Sequence, residues 1–586
     1  MSRHIRGRAR SAVLLALVVL GAGASYWALR PQTPTEPTGP SILDRAQQAT
    51  SNDPAHRSAH IIPDDDLPPE GTRSLFDHLI AQNDALPYPF EALVDLIEKQ
   101  SDTQPPVRLM IPFGRSLLKA QADFSHPRVL VAADFQASNT PANLGLVGRG
   151  QLFLGFVENA HEIEVISYNE AAGRYEFQLV QDYAADGQRR IVYARRAVCL
   201  TCHQGGSPIF PQRPWNETNA QPEIAAHIVT ARGDADYLGV PPQTALGMPE
   251  RFDELTDVGS FVVTTQRIWL DGCGDNTSCR RQILKLALRY AWDPGRFDAA
   301  GSGADALRAL QRMQWPDAGI AVPESDLRNR DPLVTQRGWR GFLHTLFAPA
   351  PIPGAGAGAR NNDDLEAFDK LPRLPATLDP LTPRPPKRWL GAEDIDGVYG
   401  IAALFSTDDV ATLERRAGHD WAVVDAAVDA LPDVQLSAQP FSRVRMMQAL
   451  AAALPAQDDA STPGYCCLDV SAMSPPVAAT EPPLELAADS PLQPFTQYCF
   501  ACHRGNPNAK LNFMGGDDEA AVKANIEAKS EIRDALDWER YRNTDKAAKL
   551  MPPADSPQHA KLQAALTQDP ELLTRMRDQV PGLFDF

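Results

Sequence analysis

Basic side chains are scarce in this sequence of 586 residues, which has 56 Lys and Arg against 74 Asp and Glu. The resulting net charge of −18 excludes a nucleic-acid partner, because binding a phosphate backbone requires a basic face. Apolar residues make up 43% and charged residues 22% of the chain, which excludes a disordered chain and a polytopic membrane protein. The acidic balance is compatible with an electron carrier or an enzyme that docks on basic surfaces.

Several common catalytic motifs are also missing. The sequence contains no glycine-rich phosphate loop, no HExxH zinc pair and no recognisable Ser-His-Asp set. The glycines of residues 144–155 precede strands and predict a sheet turn, and residues 405–409 (FSTDD) predict a helix cap rather than catalytic carboxylates. No catalytic residue is assigned from the sequence, and whether the chain is an enzyme stays open.

Cysteine is scarce too, and half of the eight cysteines fall in two pentapeptides, CLTCH at 199–203 and CFACH at 499–503. A thioredoxin-like pair requires a βαβ context that neither site has, and neither a disulfide nor a four-thiolate zinc site accounts for His203 and His503. Covalent haem accounts for all three residues of each motif, since the thiols add to the porphyrin vinyl groups and the histidine ligates the iron. The sequence therefore predicts two covalently bound haem c groups, held by Cys199, Cys202, His203, Cys499, Cys502 and His503.

The second motif has a candidate sixth ligand downstream, because Met551-Pro552-Pro553 forms an extended loop ahead of the last helices. Residues 490–586 resemble a class I cytochrome c domain, with a short helix into Cys499, an apolar loop (KLNFMGG), a helical middle, a Met-Pro loop and a closing helix. This resemblance implies that His503 and Met551 are the two axial ligands. Met514 is expected to pack in the core, and His559 is expected to face solvent.

The first motif has different surroundings. A predicted antiparallel β-meander, with strands at 162–168, 174–180 and 189–195, leads into Cys199, and a proline-rich stretch follows His203. Met248 in a Met-Pro pair lies at a spacing similar to that of Met551 and is the first candidate for the sixth ligand. His227 and an open position are the alternatives.

The sequence predicts an α+β multidomain protein with a mixed N-terminal domain, a helical middle region and a mostly helical cytochrome c domain. Cys273 and Cys279 are expected to form a disulfide that closes a small loop, whereas the adjacent Cys466 and Cys467 are left unassigned. The predicted segments are a signal or anchor (1–30), a proline-rich linker (31–73), the mixed haem-binding domain (74–349), a linker (350–394), a helical region (395–471), a linker (472–489) and the cytochrome c domain (490–586).

The N-terminus predicts export. Four arginines lie between residues 3 and 10, and an uncharged run from 11 to 29 follows them, which is the order of an export signal. Ala22-Gly23-Ala24 offers a cleavage site, but residues 11–29 are also long enough to anchor the chain in the inner membrane. Both interpretations put the rest of the chain in the periplasm, where disulfides form.

Three functions fit these observations. The first is an exported dihaem c-type cytochrome that transfers electrons between redox proteins of the periplasm or the inner membrane. The second is a dihaem oxidoreductase, similar to dihaem peroxidases or haem rubber oxygenases, in which one haem keeps an open coordination position. The third is a structural protein without haem that holds zinc through the four CxxC thiolates.

Overall fold

The computed structural model describes residues between 66 and 580. The predicted export segment, with residues 11–29, lies outside the described residues, as does most of the predicted linker at 31–73. In the described part of the chain, no helix is long and apolar enough to cross a membrane. Within 66–580 the positions not described are 82, 84, 101–104, 113–121, 134–149, 201–202, 209, 212–217, 220–221, 244–247, 318, 323–325, 328–387, 456–468, 480–483, 485, 488, 506–510, 545–548 and 554–555.

A six-stranded antiparallel sheet forms the centre of the N-terminal part, and each strand pairs with the next one along the chain. This arrangement confirms the predicted meander, and the last three strands match the three predicted ones. The tight link between the fourth and fifth strands needs Gly173, which has a positive φ of 59° and leaves no room for a Cβ beside Pro440. The strands are β1 (Val107–Ile111), β2 (Arg128–Ala132), β3 (Leu152–Val157), β4 (Glu162–Asn169), β5 (Arg174–Gln181) and β6 (Arg190–Tyr193).

The sheet is apolar on both faces because side chains alternate along each strand. In β5, Tyr175 and Phe177 belong to one core, whereas Val180 belongs to the core on the opposite face. The Val180 face is covered by three helices, α1 (Leu75–Ile80), α2 (Phe90–Glu98) and α4 (Pro222–Arg232), and the one-turn helix α3 (Arg196–Cys199) follows β6.

The Phe177 face is covered by the long helix α5 (Met248–Arg267), whose Phe252 and Leu255 are buried in that core. A π-helical segment (Ile268–Gly272) continues α5 and leads to a disulfide between Cys273 and Cys279, as predicted. Both sulfurs are buried, so the disulfide joins the end of the π-helical segment to the first turn of the next helix. The helices that follow are α6 (Thr277–Trp292) and α7 (Ser302–Gln311).

The helices after residue 395 extend this same core, since Val398, Ile401 and Met447 pack in one cluster with Phe177 and Phe252. The predicted cap is confirmed as a capping box between Ser406 and Asp409. These helices lie within the region predicted to be helical, 395–471, and they are α8 (Asp396–Leu404), α9 (Thr407–Arg416), α10 (Trp421–Asp429), α11 (Asp433–Leu436) and α12 (Arg443–Ala453).

The C-terminal part is helical and has its own core, which includes Phe495, Met514 and Leu562. Met514 is fully buried, as expected from the sequence. The class is therefore mixed α+β, and the boundaries of separate domains stay a prediction. The helices are α13 (Gln493–Tyr498), α14 (Phe500–His503), α15 (Glu519–Glu527), α16 (Glu531–Ala535), α17 (Trp538–Tyr541), α18 (Pro557–Gln568) and α19 (Leu572–Asp578).

Short pairings tie loops to these cores. Part of the predicted linker at 472–489 lies against the edge strand β6, where Tyr193 pairs in parallel with Ala478. The remaining strands form two small sheets, with β7 (Phe210–Pro211) beside β9 (Asp326–Leu327) and β8 (Ile320–Val322) beside β10 (Arg388–Leu390).

Candidate functional site

The CFACH motif lies where α13 gives way to the single turn of α14. The amide of Cys499 donates to the carbonyl of Phe495 at 2.8 Å, and the amide of His503 donates to the carbonyl of Cys499 at 3.0 Å. Residues three and four positions apart share one side of a helical turn, so Cys502 and His503 project from the same side as Cys499. One helical turn thus presents two thiols and one imidazole together.

The His503 ring is oriented for ligation through its outer nitrogen. Its Nδ1 lies 2.7 Å from the carbonyl oxygen of Leu511, and the ring packs on Phe513 with centroids 4.2 Å apart. A carbonyl only accepts, so Nδ1 carries the proton and the Nε2 lone pair is available to a metal. Burial lowers the pKa of His503 to about 4, which keeps the imidazole neutral. These features fit the proximal ligand of haem iron.

The loop at Met551 is held through its main chain. The amide of Met551 donates to the carbonyl of Ala535 at 2.9 Å, and the indole Nε1 of Trp538 donates to the carbonyl of Met551 at 2.9 Å. His559 Nδ1 donates to the carbonyl of Pro552 at 2.9 Å, and its ring stacks on Trp538 with centroids 4.5 Å apart. The expectation that His559 faces solvent is therefore wrong, because the half-buried ring supports the Met551 loop.

The CLTCH motif repeats the backbone geometry of CFACH on another scaffold. The amide of His203 donates to the carbonyl of Cys199 at 2.9 Å, and the His203 ring lies 5.5 Å from the Phe177 ring on the sheet. As the sequence predicts, the meander leads into Cys199: β6 ends at Tyr193, and the single turn of α3, which ends at Cys199, follows it. Cys202 lies outside the described residues.

The candidates for the sixth ligand of the first site lie on different faces of the sheet. Met248 begins α5, which covers the Phe177 face together with Cys199. His227 lies in α4 on the Val180 face, where its ring stacks on Phe124 at 4.9 Å. The side chain of Met248 lies outside the described residues. His227 therefore lies on the face of the sheet opposite the Phe177 ring that His203 packs near.

The two motifs are neighbours in space. Arg195 precedes α3, and its guanidinium donates to the carbonyls of Phe500 at 2.9 Å, Ala501 at 2.8 Å and Arg504 at 2.6 Å. These carbonyls belong to the CFACH turn and to the residue after it. One side chain next to the first motif thus contacts the backbone of the second.

No family model, no curated protein and no solved structure matches this chain. The resemblance of residues 490–586 to a class I cytochrome c domain therefore stays a prediction that rests on its motifs. The same holds for ligation by Met551 and Met248.

A zinc site made of the four thiols finds no support in the part of the chain that the structure describes. Three of those thiols are described, Cys199, Cys499 and Cys502, yet no group of three or more Cys, His, Asp or Glu is placed to hold a metal there. Burial, together with the neighbouring Cys502, raises the pKa of the Cys499 thiol to about 12.

Two supporting residues carry no functional signal in the sequence. Trp538 in α17 donates a hydrogen bond to the carbonyl of Met551, but from the sequence alone a tryptophan at that position predicts only a core residue. Arg195 stands four positions before Cys199, but nothing local connects it to Phe500, which lies 305 residues away in sequence. The proton acceptor of His503 is a backbone carbonyl, which side-chain patterns do not reveal.

Proposed function

We propose that this chain is an exported dihaem c-type cytochrome that carries electrons between redox proteins in the periplasm or at the inner membrane. The observation that carries the proposal is the repeated CxxCH motif with one backbone geometry, in which each histidine amide donates to the carbonyl of the first cysteine, at 2.9 and 3.0 Å. The export signal at residues 1–30 supports this location, whether residues 11–29 are cleaved or retained as an anchor.

The residues of the chain have distinct roles in this proposal. Each cysteine pair attaches the porphyrin, and His203 and His503 supply imidazole nitrogen to the iron. Haem c, when bound, supplies a one-electron couple whose potential depends on the axial ligands. Leu511 holds the His503 ring, while Trp538 and His559 hold the main chain around Met551. Ligands held in this way keep their positions in both oxidation states, which suits an electron carrier.

The direct test is the intact mass and pyridine haemochrome spectrum of the full chain expressed with periplasmic export. Two haem masses and a c-type band are expected. Changing Cys199 and Cys202 to Ala, or Cys499 and Cys502 to Ala, should each remove one haem. Changing Cys273 and Cys279 to Ala is the matched control, which removes two cysteines and keeps both haems. A wild-type chain without a c-type band would overturn the proposal.

A dihaem enzyme is the second candidate. The position of His227 beside Phe124, on the face of the sheet opposite Phe177, gives no support to His227 as a sixth ligand, and an open position at the first site is one of the remaining hypotheses. Enzymes that activate peroxide or dioxygen need an iron position that the reactant can reach. Turnover of hydrogen peroxide by the holoprotein would favour this candidate over a carrier.

A further inference from the structure

Arg195 forms an unusual contact between two distant parts of the chain. Its planar guanidinium donates to the carbonyls of Phe500 and Ala501 in α14 and to that of Arg504, the residue after α14. It also lies over the Phe500 ring, 5.3 Å from the centroid. The carbonyl of Phe500 also accepts from the amide of Arg504 at 3.1 Å. Carbonyls at the end of a helix carry partial negative charge, so a cation is favoured there. Arg195 thus caps the turn that carries Cys502 and His503.

An arginine is suited to this position because its rigid fork directs several N–H groups at once, which a lysine ammonium does not. Since the acceptors are carbonyls rather than a carboxylate, the positive charge of Arg195 is not cancelled by its hydrogen-bond partners. The guanidinium of Arg504 lies 5.4 Å from the centroid of the same Phe500 ring. Two cations therefore stand beside the CFACH motif, one of them contributed from the segment that leads into CLTCH.

A second connection supports the same arrangement. The amide of Tyr193 donates to the carbonyl of Val477 at 2.7 Å, and the amide of Ala479 donates to the carbonyl of Tyr193 at 2.8 Å. Tyr193 ends β6 two residues before Arg195, and Val477 lies in the segment that leads to α13. Neighbouring stretches of chain thus hold the two motifs together at two points.

We infer that the two CxxCH sites form one adjoining redox pair and that Arg195 is the positioning residue that joins them. This inference rests on the proposed function, because it assigns a role to Arg195 only if both sites carry haem. The hydrogen bonds of Arg195 to the CFACH turn set the distance between the two sites. This distance is important because the rate of electron transfer falls steeply as the separation grows. The charge also acts on the second site, since a nearby cation disfavours the oxidised iron, which carries one more positive charge.

The test compares Arg195→Gln, which removes the charge and the fork, with Arg195→Lys, which keeps the charge alone. Arg190→Gln is the matched control, because Arg190 is an exposed residue of the nearby strand β6 and its loss changes the net charge equally. The holoproteins are titrated by spectroelectrochemistry, and the rate of electron equilibration between the two haems is measured after flash reduction of one of them.

Arg195→Gln should lower the potential of the His503 centre so that its oxidised-to-reduced ratio rises about tenfold at a fixed potential, a shift of about 59 mV for one electron. It should also slow equilibration between the haems. Arg195→Lys should leave the redox potential of the His503 centre nearly unchanged and should slow electron equilibration between the haems. If the Arg195→Gln protein does not accumulate, the Arg195→Lys variant alone provides the test. The inference is overturned if the Arg195 variants match Arg190→Gln in both measurements.

Hydrogen exchange of residues 495–505 in the same preparations gives a readout that does not need haem. Loss of the three hydrogen bonds should speed exchange of this segment on the order of tenfold in Arg195→Gln, with no change in Arg190→Gln. A wild-type chain without haem would overturn the proposed function, whereas unchanged exchange and unchanged potentials in a chain with two haems would overturn only the role of Arg195.

Discussion

The two CxxCH segments share a backbone geometry but differ in the structure that surrounds them. CFACH lies in a small helical core in which His503 is held by Leu511 and the Met551 loop is held by Trp538 and His559. CLTCH lies beside an antiparallel sheet, where His203 packs near Phe177. The comparison teaches that the geometry of a CxxCH turn is local, whereas the support of a loop such as that of Met551 depends on the whole fold around it.

The largest expected effect tests the ligand of the second site. Met551→Ala should remove the sulfur-to-iron charge-transfer band and lower the potential of that haem by roughly 0.2 V, within the range of about 0.8 V that axial ligands span. Absorption spectra and redox titration of the holoprotein measure both changes. Met514→Leu is the control, because Met514 is a fully buried methionine of the same core. Loss of the band in the control instead would assign the ligand to Met514.

The next prediction separates the two iron sites. If the first position is open, oxidised protein should give one high-spin and one low-spin electron paramagnetic resonance signal, and cyanide should convert only the high-spin one. If Met248 ligates, both signals are low-spin, and Met248→Ala should create the high-spin species. Two low-spin signals that persist in Met248→Ala would show that another residue fills the position.

A smaller effect concerns acid stability of the sheet region. His78 in α1 is buried, and burial, followed by the neighbouring Arg73, lowers its pKa to about 4. In the unfolded chain, the imidazole of His78 takes up a proton near its ordinary pKa of 6.5, whereas in the folded chain it does so only near pH 4. The contribution of the neutral His78 to the free energy of unfolding is therefore fully present above pH 6.5 and is lost as the pH falls toward 4. The free energy of unfolding in urea should fall by on the order of 2 to 3 kcal/mol between pH 7 and 4.5 because of this residue.

His78→Leu should flatten this dependence on pH, since leucine fills a buried position without a proton to gain. His419→Asn, at an exposed position with a positive φ of 60° that asparagine tolerates, is the control and should leave the dependence unchanged. Equal pH profiles for His78→Leu and the wild type would remove His78 as the cause.

The smallest expected effect tests the support that the indole of Trp538 gives to the Met551 loop at the second site. Trp538→Phe keeps an aromatic ring beside His559 but removes the donor to the Met551 carbonyl. We expect a loss of about 1 kcal/mol in the free energy of unfolding and easier displacement of the methionine by added imidazole at the second haem. Imidazole titration followed by absorption measures this, with Trp421→Phe in α10 as the control. Displacement at unchanged concentration would show that the indole does not support the loop.

Features with a local cause could be predicted from the sequence. The strands at β4, β5 and β6 follow from alternation of apolar residues, and the cap of α9 follows from Ser406 and Asp409. The disulfide between Cys273 and Cys279 follows from short spacing in a compartment that permits it. The CxxCH turns belong to the same class, because one helical turn determines their geometry.

Features that depend on distant contacts could not be predicted. The helices of 395–453 read as a separate region, yet Val398 and Met447 pack into the core under the sheet. The position of His559 near the start of a helix predicts exposure to solvent, because nothing in the local sequence shows that Trp538 packs on its ring. Arg195 reaches Phe500 only because the sheet and the C-terminal helices fold against one another, and no periodicity records such a contact.

The pairing of Tyr193 with residues 477–479 has a consequence for how this chain avoids self-association. β6 is an outer strand of the sheet, and unpaired amides and carbonyls on such a strand are templates for another copy. The segment ahead of the C-terminal helices covers part of that strand by forming two backbone hydrogen bonds with it. A proteolytic cut that released this segment would leave the backbone groups of β6 unpaired. We therefore expect a chain that has lost its C-terminal part to aggregate through the exposed edge of the sheet.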